Sequence, residues 1–300
     1  MTIKLGVIGM SEGNGHPYSW SAIFNGYNPS VMEDCGFPVI PRYLAQQKWP
    51  EDTIKEAEVV SVWTQDAELS SHIAEASRIS HVARTLEEMA VEVDAVLLAR
   101  DDAENHYRFA ESFILAGMPI YIDKPIALST LAFERLHQIE QYPGQIFTCS
   151  ALRYSPELSV SDSVMAELGE IREIVAFTPK CWSKYAVHII EPVLKLLPAG
   201  DMPINIDSCG RSQSDDGSGC LSVYWQSGIH TSFYAMGAAQ TNISIRIHGT
   251  HGWKELVFTD SFIAFKAALQ DFVDGILSRT VRSTKEFNSR VVQLLEEGIK

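Results

Sequence analysis

Apolar and polar positions in the first ~125 residues alternate between strand-like runs and helical patterns, which is typical of parallel βαβ units. The apolar runs that predict strands are residues 3–9, 58–63, 94–99 and 119–122. Between the last two, apolar residues recur at intervals of three and four from Ala103 to Ile114, which predicts a helix that ends at Gly117. We therefore expect a parallel sheet in this part of the chain.

After residue 126 the pattern changes to that of an antiparallel sheet with helices. Ile243, Ile245 and Ile247 alternate with polar residues, as in a strand with one buried face. Ser227 and Gly228 predict a hairpin turn between two apolar runs. Strands are predicted at 145–150, 171–177, 221–226, 229–235, 243–248 and 253–258, and helices at 129–141, 265–277 and 286–298.

These patterns predict an α/β protein with two domains. The length of the chain suggests the same number, since single cores stop growing near ~250–300 residues. Residues 1–126 would hold the parallel sheet, and residues 127–300 would form an α+β domain with an open, mostly antiparallel sheet. Residues 26–50 are rich in Pro, Gly, Asn and aromatic residues and show no period, so they form an insertion. Such a segment is either a surface excursion or a lid or binding loop.

The composition and charge of the chain exclude several classes of protein. Its 300 residues are 46% hydrophobic, and 24 Lys+Arg against 38 Asp+Glu give a net charge of −14. The apolar fraction suffices for packed cores, and the acidic surface disfavours nucleic acid and membranes as partners. The sequence shows no signal-peptide profile, and none of its apolar runs approaches the length of ~20 residues that is needed to span a membrane. We therefore expect a cytoplasmic protein.

The cysteines are scattered and contain no C-x-x-C pair. They are Cys35, Cys149, Cys181, Cys209 and Cys220. This spacing predicts reduced thiols, and neither a disulfide framework nor a metal site.

A glycine-rich turn follows the first predicted strand and precedes a helix. Glycines at this place let the backbone approach a pyrophosphate, and the helix N-terminus contributes amides and its dipole. The match to G-x-G-x-x-G is imperfect, because Ser11 and Asn14 stand where glycines are expected after Gly9, although Gly13 and Gly15 flank Asn14. A tight turn without a ligand is the alternative. Pro17 suits the first helical position, which would make His16 the N-cap.

The second predicted strand ends at the position where a dinucleotide fold places an acid for the ribose hydroxyls. Thr64 stands at that position, and Asp66 comes two residues later. The absent acid removes the usual repulsion of a 2′-phosphate, and no Arg follows to attract one. Both NAD and NADP are therefore compatible with the sequence.

The segment Tyr121-Ile122-Asp123-Lys124-Pro125 ends the fourth predicted strand. Ligands of open α/β sheets bind beyond the carboxyl ends of the strands, so Lys124 would point into a cleft and could hold a substrate oxygen. Pro125 also makes a cis bond after Lys124 accessible. A surface lysine at the end of a strand is the alternative.

Several motifs occur in an order that resembles the glucose–fructose oxidoreductase, inositol dehydrogenase and MocA family. The family's Glu-Lys-Pro triplet is matched by Asp123-Lys124-Pro125, with Asp in place of Glu. The other matching segments are Gly6-Val7-Ile8-Gly9, Asp94-Ala95-Val96-Leu97-Leu98, His106, 116–120, Arg153-Tyr154-Ser155-Pro156, Gly169-Glu170-Ile171, Gly249-Thr250-His251-Gly252 and Asp271-Phe272. The resemblance covers most of the chain and says little about the substrate.

The resemblance implies a Rossmann domain that binds NAD or NADP, a substrate domain with an open sheet, and a sugar-like substrate. It implies that Lys124 contacts the reacting oxygen and that His188 acts as the acid–base. The implied or predicted cofactor-binding residues are Gly9, Ser11, Gly13, Asn14, Gly15, His16, Thr64, His106, Asp123, Lys124 and Pro125, and those for the substrate are Lys184, Tyr185, Arg153 and Tyr154.

Lys184 stands four residues before His188, where many members of the family have an aspartate. An ammonium at this position would disfavour the protonated imidazole, whereas an aspartate would favour it. Two lysines near one pocket, Lys124 and Lys184, would suit an anionic substrate such as a carboxylated sugar. A solvated lysine is the alternative.

The resulting hypothesis is an NAD(P)-dependent oxidoreductase that acts on a sugar or sugar derivative, acidic or neutral. The alternative is a non-catalytic protein of the same fold that senses a dinucleotide or a sugar. A nucleic-acid-binding regulator is disfavoured by the charge. Because the open sheet of the second domain needs a cover, we expect a homo-oligomer, a dimer or tetramer, formed through that sheet.

Overall fold

A computed structural model describes residues 2–208 and 215–300 and divides them into two units. Unit 1 consists of residues 1–127, 132–149 and 265–284, and unit 2 consists of residues 128–131, 150–264 and 285–300. The predicted boundary after residue 126 is therefore incomplete. Two later segments return to the first unit, because the predicted strand at 145–150 joins the parallel sheet and the helix that starts at Ser261 continues into this unit.

Unit 1 is built on a six-stranded parallel sheet. Its strands are β1 (Ile3–Ile8), β2 (Ala57–Trp63), β3 (His81–Val82), β4 (Ala95–Leu98), β5 (Ile120–Ile122) and β6 (Ile146–Phe147). Their order is β3-β2-β1-β4-β5-β6, which is that of the Rossmann fold. All four residues of β4 are buried, which explains its uninterrupted apolar run.

The helices of this part of the chain are α1 (His16–Asn25), α2 (Pro29–Met32), α3 (Val39–Leu44), α4 (Ala67–Ala76), α5 (Leu86–Ala90), α6 (His106–Leu115) and α7 (Thr130–His137), followed later by α11 (Ser261–Ser278). Trp20 of α1 and Tyr121 of β5 are almost completely buried and contact each other with ring centroids 4.7 Å apart. Phe147 and Phe272 extend this aromatic cluster around Tyr121. The cluster anchors the end of β5 immediately before Asp123 and Lys124.

The insertion at 26–50 forms the short helices α2 and α3 and is part of the core of unit 1. Met32 and Leu44 are fully buried, and Ile40 is 4% exposed. A Cβ added at Gly15 would lie 2.6 Å from Ile40 Cδ1 and 2.9 Å from the Phe37 ring, so α3 and the residues before it pack directly against the glycine-rich turn. A surface excursion does not describe this segment.

We expect Leu44→Ala to lower the free energy of unfolding by about 2–5 kcal/mol, because it leaves a cavity in this core. Val39→Ala is the matched control on the same helix, since Val39 is 57% exposed, and its effect should stay within about 0.5 kcal/mol. Chemical denaturation of both variants measures the difference. Equal effects of the two substitutions would contradict a core role for the insertion.

Unit 2 is built on a mixed six-stranded sheet. Its strands are β7 (Ile171–Thr178), β8 (Pro203–Ser208), β9 (Gly219–Trp225), β10 (His230–Ala235), β11 (Ser244–Gly249) and β12 (Trp253–Val257), in the order β12-β11-β7-β10-β9-β8. β7 and β10 pair in parallel, and the other pairs are antiparallel, as predicted for most of this sheet. The helices are α8 (Asp162–Leu168), α9 (Trp182–Tyr185), α10 (Val187–Leu196) and α12 (Lys285–Ile299).

One face of the second sheet contributes to a hydrophobic core with α10 and α12. Phe233, Ile245 and Ile247 are fully buried there, and alternate strand residues such as Tyr234 and Arg246 are not. Phe177 and Tyr234 stack outside this core with centroids 5.2 Å apart. The period of two in the sequence therefore separates a buried face from an open one.

The prediction of five reduced thiols is wrong for one cysteine. Cys35, Cys149 and Cys181 are thiols that form no disulfide, but Cys220 is disulfide-bonded. Cys209 lies outside the described residues. Scattered spacing was a poor guide here, because the pairing of cysteines depends on the tertiary fold.

Candidate active site

The glycine-rich turn, residues 9–15, connects the carboxyl end of β1 to α1 at the point where the strand order reverses. The N-cap of α1 is Gly15, one residue before the expected His16. The Asn14 side chain accepts a hydrogen bond from the His16 amide at 2.8 Å, so Asn14 holds the first turn of the helix. Gly15 has to be a glycine because Phe37 and Ile40 lie so close to it.

The turn has the features that a pyrophosphate requires. Gly13 has a φ of +78°, and no atom lies within 4 Å of the position where its Cβ would be. Within the described residues, the amides of Glu12, Gly13 and Gly15 make no hydrogen bond to the protein. Amides without acceptors beside open space at a helix N-terminus fit a phosphate group, which this turn could therefore hold.

Asp123 fastens the glycine-rich turn to the end of β5. Its Oδ2 accepts a hydrogen bond from Asn14 Nδ2 at 2.8 Å and lies 2.5 Å from His16 Nδ1. Burial alone would raise the pKa of this 1% exposed carboxyl, but the charges of His16 and Lys124 and these hydrogen bonds lower it below its usual value. Asp123 is therefore an ionised anchor for the turn and for the lysine that follows it.

Lys124 lies at the carboxyl end of β5 and is 7% exposed. Its Nζ is 3.6 Å from Asp101 Oδ2, and Ser11 Oγ donates to Asp101 Oδ1 at 2.7 Å. The Lys124–Pro125 peptide bond is cis. A surface lysine does not describe this residue, whose ammonium is placed by a carboxylate that the glycine-rich turn itself holds.

Two residues that the sequence analysis missed hold the first part of the turn. Arg100 donates from Nη1 to the carbonyl oxygens of Gly9 and Met10, and its other nitrogens bind Asp102 at 2.9 and 2.6 Å. Gln65 bonds both the amide and the carbonyl of Met10. Arg100, like Asp101, comes within three residues of the carboxyl end of β4, and this position was the signal that could have identified both.

Thr64 and His106 have internal partners. Thr64 follows β2 as predicted, but its hydroxyl donates to the carbonyl of Asp66 and contacts Ser70 Oγ, so it supports the start of α4. His106 is fully buried, with Nε2 2.7 Å from the Arg100 carbonyl and Nδ1 3.0 Å from the Ile126 carbonyl. This burial argues against cofactor contact by His106, whose ring instead joins the segments after β4 and β5.

In unit 2, His188 is the second residue of α10 and is half-buried. Its Nδ1 lies 2.8 Å from Ser150 Oγ, and its ring meets that of Tyr185 edge to face with centroids 5.5 Å apart. Lys184 is half-buried on α9, and Lys180 Nζ donates to the Tyr185 hydroxyl. Two lysines thus lie in the segment that leads to His188.

Arg153 and Tyr154 lie in a 3₁₀ turn after β6, at residues Ala151–Tyr154. The Arg153 side chain is 8% exposed, pairs with Glu191 at 3.5 Å and lies over the rings of Tyr154 and Phe287. These contacts give Arg153 a structural role, and its contact with substrate stays a prediction, as does that of Tyr154. Burial raises the pKa of Glu191 to about 7, although Arg153, the Ser150 amide and Lys195 lower it.

Two other kinds of feature, a metal site and a membrane span, are absent from residues 2–208 and 215–300. These residues contain no group of three or more His, Cys, Asp or Glu side chains that could hold a metal ion. Their helices include none with the length and apolar character to cross a membrane.

The comparison with family models bears on the parallel-sheet unit. Residues 40–150 match an oxidoreductase family with an NAD-binding Rossmann fold, the glucose–fructose oxidoreductase, inositol dehydrogenase and MocA family. The resemblance drawn from the motifs is thereby confirmed, and with it NAD(P) as the class of cofactor. No curated protein matches the chain in sequence.

Solved structures share the fold over nearly the whole chain. The myo-inositol 2-dehydrogenase of Lactobacillus plantarum is 12% identical with a TM-score of 0.75, covering 99% of this chain and 96% of its own. The UDP-N-acetylglucosamine 3-dehydrogenase of Acidithiobacillus ferrooxidans is 16% identical with a TM-score of 0.71, covering 99% and 97%. The scyllo-inositol dehydrogenase of Lactobacillus casei, solved with NAD(H) and scyllo-inositol, is 14% identical with a TM-score of 0.71, covering 99% and 96%. These similarities confirm the predicted fold class.

Proposed function

We propose that this protein is an NAD(P)-dependent dehydrogenase or reductase that acts on a CH–OH group, or the corresponding carbonyl, of a sugar or polyol. The observation that carries the proposal is the position of Lys124. Its ammonium is placed at the carboxyl end of a Rossmann strand, and it is tied through Asp101 to the turn that suits a dinucleotide phosphate. The structural neighbours support the substrate class, since two of those named are inositol dehydrogenases and one acts on a nucleotide sugar.

The residues of the chain have separate tasks in this proposal. The turn at 9–15 binds the pyrophosphate through the amides of Glu12, Gly13 and Gly15. NAD(P), when bound, supplies or accepts a hydride at its nicotinamide ring. Lys124 donates a hydrogen bond to the reacting oxygen and stabilises negative charge on it. His188 exchanges the proton of that oxygen.

A substrate panel tests the proposal. Dinucleotide binding is measured by titration with NADH and NADPH, followed by nicotinamide fluorescence. A panel of inositols, hexoses, uronic acids and nucleotide sugars is then assayed with NAD and NADP at the absorbance of the reduced cofactor. Turnover of a member of the panel supports the proposal. Binding without turnover of any of them would favour the sensing protein, and failure to bind either dinucleotide would contradict both.

We further propose that the substrate carries an acidic group. Lys180 and Lys184 both lie just before His188, and Lys184 replaces the aspartate of many family members. Ammonium groups attract a carboxylate and repel no part of a neutral sugar, so they select between the two.

We therefore expect Lys184→Ala to raise the KM of a uronic acid by about 5–10-fold relative to that of the matching neutral sugar. Steady-state kinetics on the two sugars measures the ratio. Lys254→Ala, on the exposed strand β12, is the control and should leave the ratio unchanged. An unchanged ratio in Lys184→Ala would rule out the selection of an acidic group by this lysine.

The open face of the second sheet supports the expected homo-oligomer. Ile204, Tyr224 and Trp253 are 67%, 48% and 61% exposed on strands of this sheet. Large apolar side chains on an open sheet are commonly covered in an assembly. Light scattering coupled to size-exclusion chromatography tests whether the protein is a dimer or tetramer.

A further inference from the structure

A serine connects the ring of His188 to a buried carboxylate within unit 2. Ser150 Oγ lies 2.8 Å from His188 Nδ1, and the Ser150 amide donates to Glu191 Oε1 at 2.8 Å. Ser150 is fully buried and Glu191 is 3% exposed. An imidazole, a hydroxyl-bearing residue and a carboxyl group therefore follow one another inside the protein.

The position of Ser150 is fixed from several sides. Besides its contact with His188, its Oγ accepts a hydrogen bond from the Leu152 amide at 3.3 Å, which caps the 3₁₀ turn after β6. A hydroxyl can accept from a protonated Nδ1 or donate to an unprotonated one. Ser150 can therefore hold the imidazole through Nδ1 in either protonation state.

Glu191 is costly to bury in its ionised form. No described residue donates a hydrogen bond to its Oε2, although Arg153 Nη1 lies 3.5 Å away. Removal from water without full hydrogen bonding destabilises a carboxylate, which explains why burial raises the pKa of Glu191 to about 7. Its charge thus changes in the range in which an imidazole also titrates.

Several positive charges lie near this network within the described residues. Arg153 and Lys195 face Glu191, and Lys195 Nζ also donates to the Arg153 carbonyl at 3.2 Å. Lys184 precedes His188, and Lys180 contacts Tyr185, whose ring lies against His188. These cations disfavour a protonated imidazole, whereas an ionised Glu191 favours it.

We propose that Glu191 and Ser150 are positioning residues for His188. Ser150 anchors Nδ1, and ionised Glu191 favours the proton on that nitrogen, so that Nε2 is the atom that takes up and releases the proton of the substrate oxygen. Glu191, one turn after His188, thereby takes the place of the acid that is absent one turn before it. Only the role of His188 as proton carrier rests on the proposed function.

The test is the titration of His188 by NMR in the full-length protein, which needs no turnover. The His188 signal is assigned among the nine histidines by its loss in His188→Asn. Glu191→Gln can still accept from the Ser150 amide but has no charge, so we expect the pKa of His188 to fall by about half a unit to one unit. The ring-nitrogen shifts should move from the Nδ1–H form towards the Nε2–H form. Ser150→Ala should lose the preference for one tautomer, and Ser150→Thr, which keeps the hydroxyl, should restore it.

Glu170→Gln is the control, because Glu170 is an exposed acid of the same unit, and it should leave the His188 titration unchanged. An unchanged pKa and tautomer of His188 in folded Glu191→Gln and Ser150→Ala would overturn the proposal. If Glu191→Gln does not fold, the comparison of Ser150→Ala with Ser150→Thr decides whether the proposal holds. If no sugar is turned over, the proposed function fails while the NMR result still decides this proposal.

Discussion

Replacement of Lys124 by Met is expected to lower kcat on the identified substrate by about 10²–10³-fold. Met keeps most of the length and apolar volume of the side chain and removes the ammonium that would stabilise charge on the reacting oxygen. The glycine-rich turn stays anchored, because Asn14 and His16 bind Asp123 and not Lys124. Dinucleotide affinity should therefore change little. Steady-state kinetics combined with fluorescence titration of NADH or NADPH separates the two effects.

The matched control for this prediction is Lys4→Met in the same unit. Lys4 is an exposed residue of β1, so its charge lies outside the proposed machinery. Wild-type kcat in Lys124→Met would eliminate the proposed mechanism. Loss of dinucleotide binding together with kcat would show instead that Lys124 maintains the turn.

Much of the fold could be predicted because long stretches of the chain bury one consistent set of positions. The apolar run of β4 and the alternation of Ile245 and Ile247 in β11 depend only on burial within a single sheet. The glycine-rich turn and Lys124 follow from their place after parallel strands. These parts of the site need no knowledge of distant contacts.

The parts that were missed depend on contacts between residues far apart in sequence. Asp101 becomes part of the site because Ser11 and Lys124 contact it. These two residues are 90 and 23 positions away from Asp101 in the sequence, and the residues next to Asp101 do not predict either contact. The insertion has no period because its buried residues, such as Met32 and Leu44, contact the core from short helices. The sequence does not distinguish Glu191 from an exposed acidic residue of a helix, because its burial and its hydrogen bond from the Ser150 amide are visible only in the structure.

The second large effect is expected for His188→Asn, which should lower kcat by about 10²–10⁴-fold, the usual contribution of a general acid–base. Asn retains a polar atom that can form a hydrogen bond with Ser150. The fall in kcat therefore reports the loss of proton transfer more than a disruption of packing. The pH profile is the more specific measurement. In the wild type, the rate of alcohol oxidation should rise with pH as the imidazole loses its proton, because only the neutral ring can accept the substrate's proton. This dependence should disappear in His188→Asn.

The comparison variant for His188 is His251→Asn, an exposed histidine of the same unit that should keep the wild-type kcat and pH profile. A small amine or imidazole in the buffer should restore part of the activity of His188→Asn, since it can carry the missing proton. If His188→Asn retains the wild-type pH dependence, the proton is carried by another group. In that case Lys124 alone would hold the reacting oxygen, and the network of Ser150 and Glu191 would orient a ring that serves binding and not proton transfer.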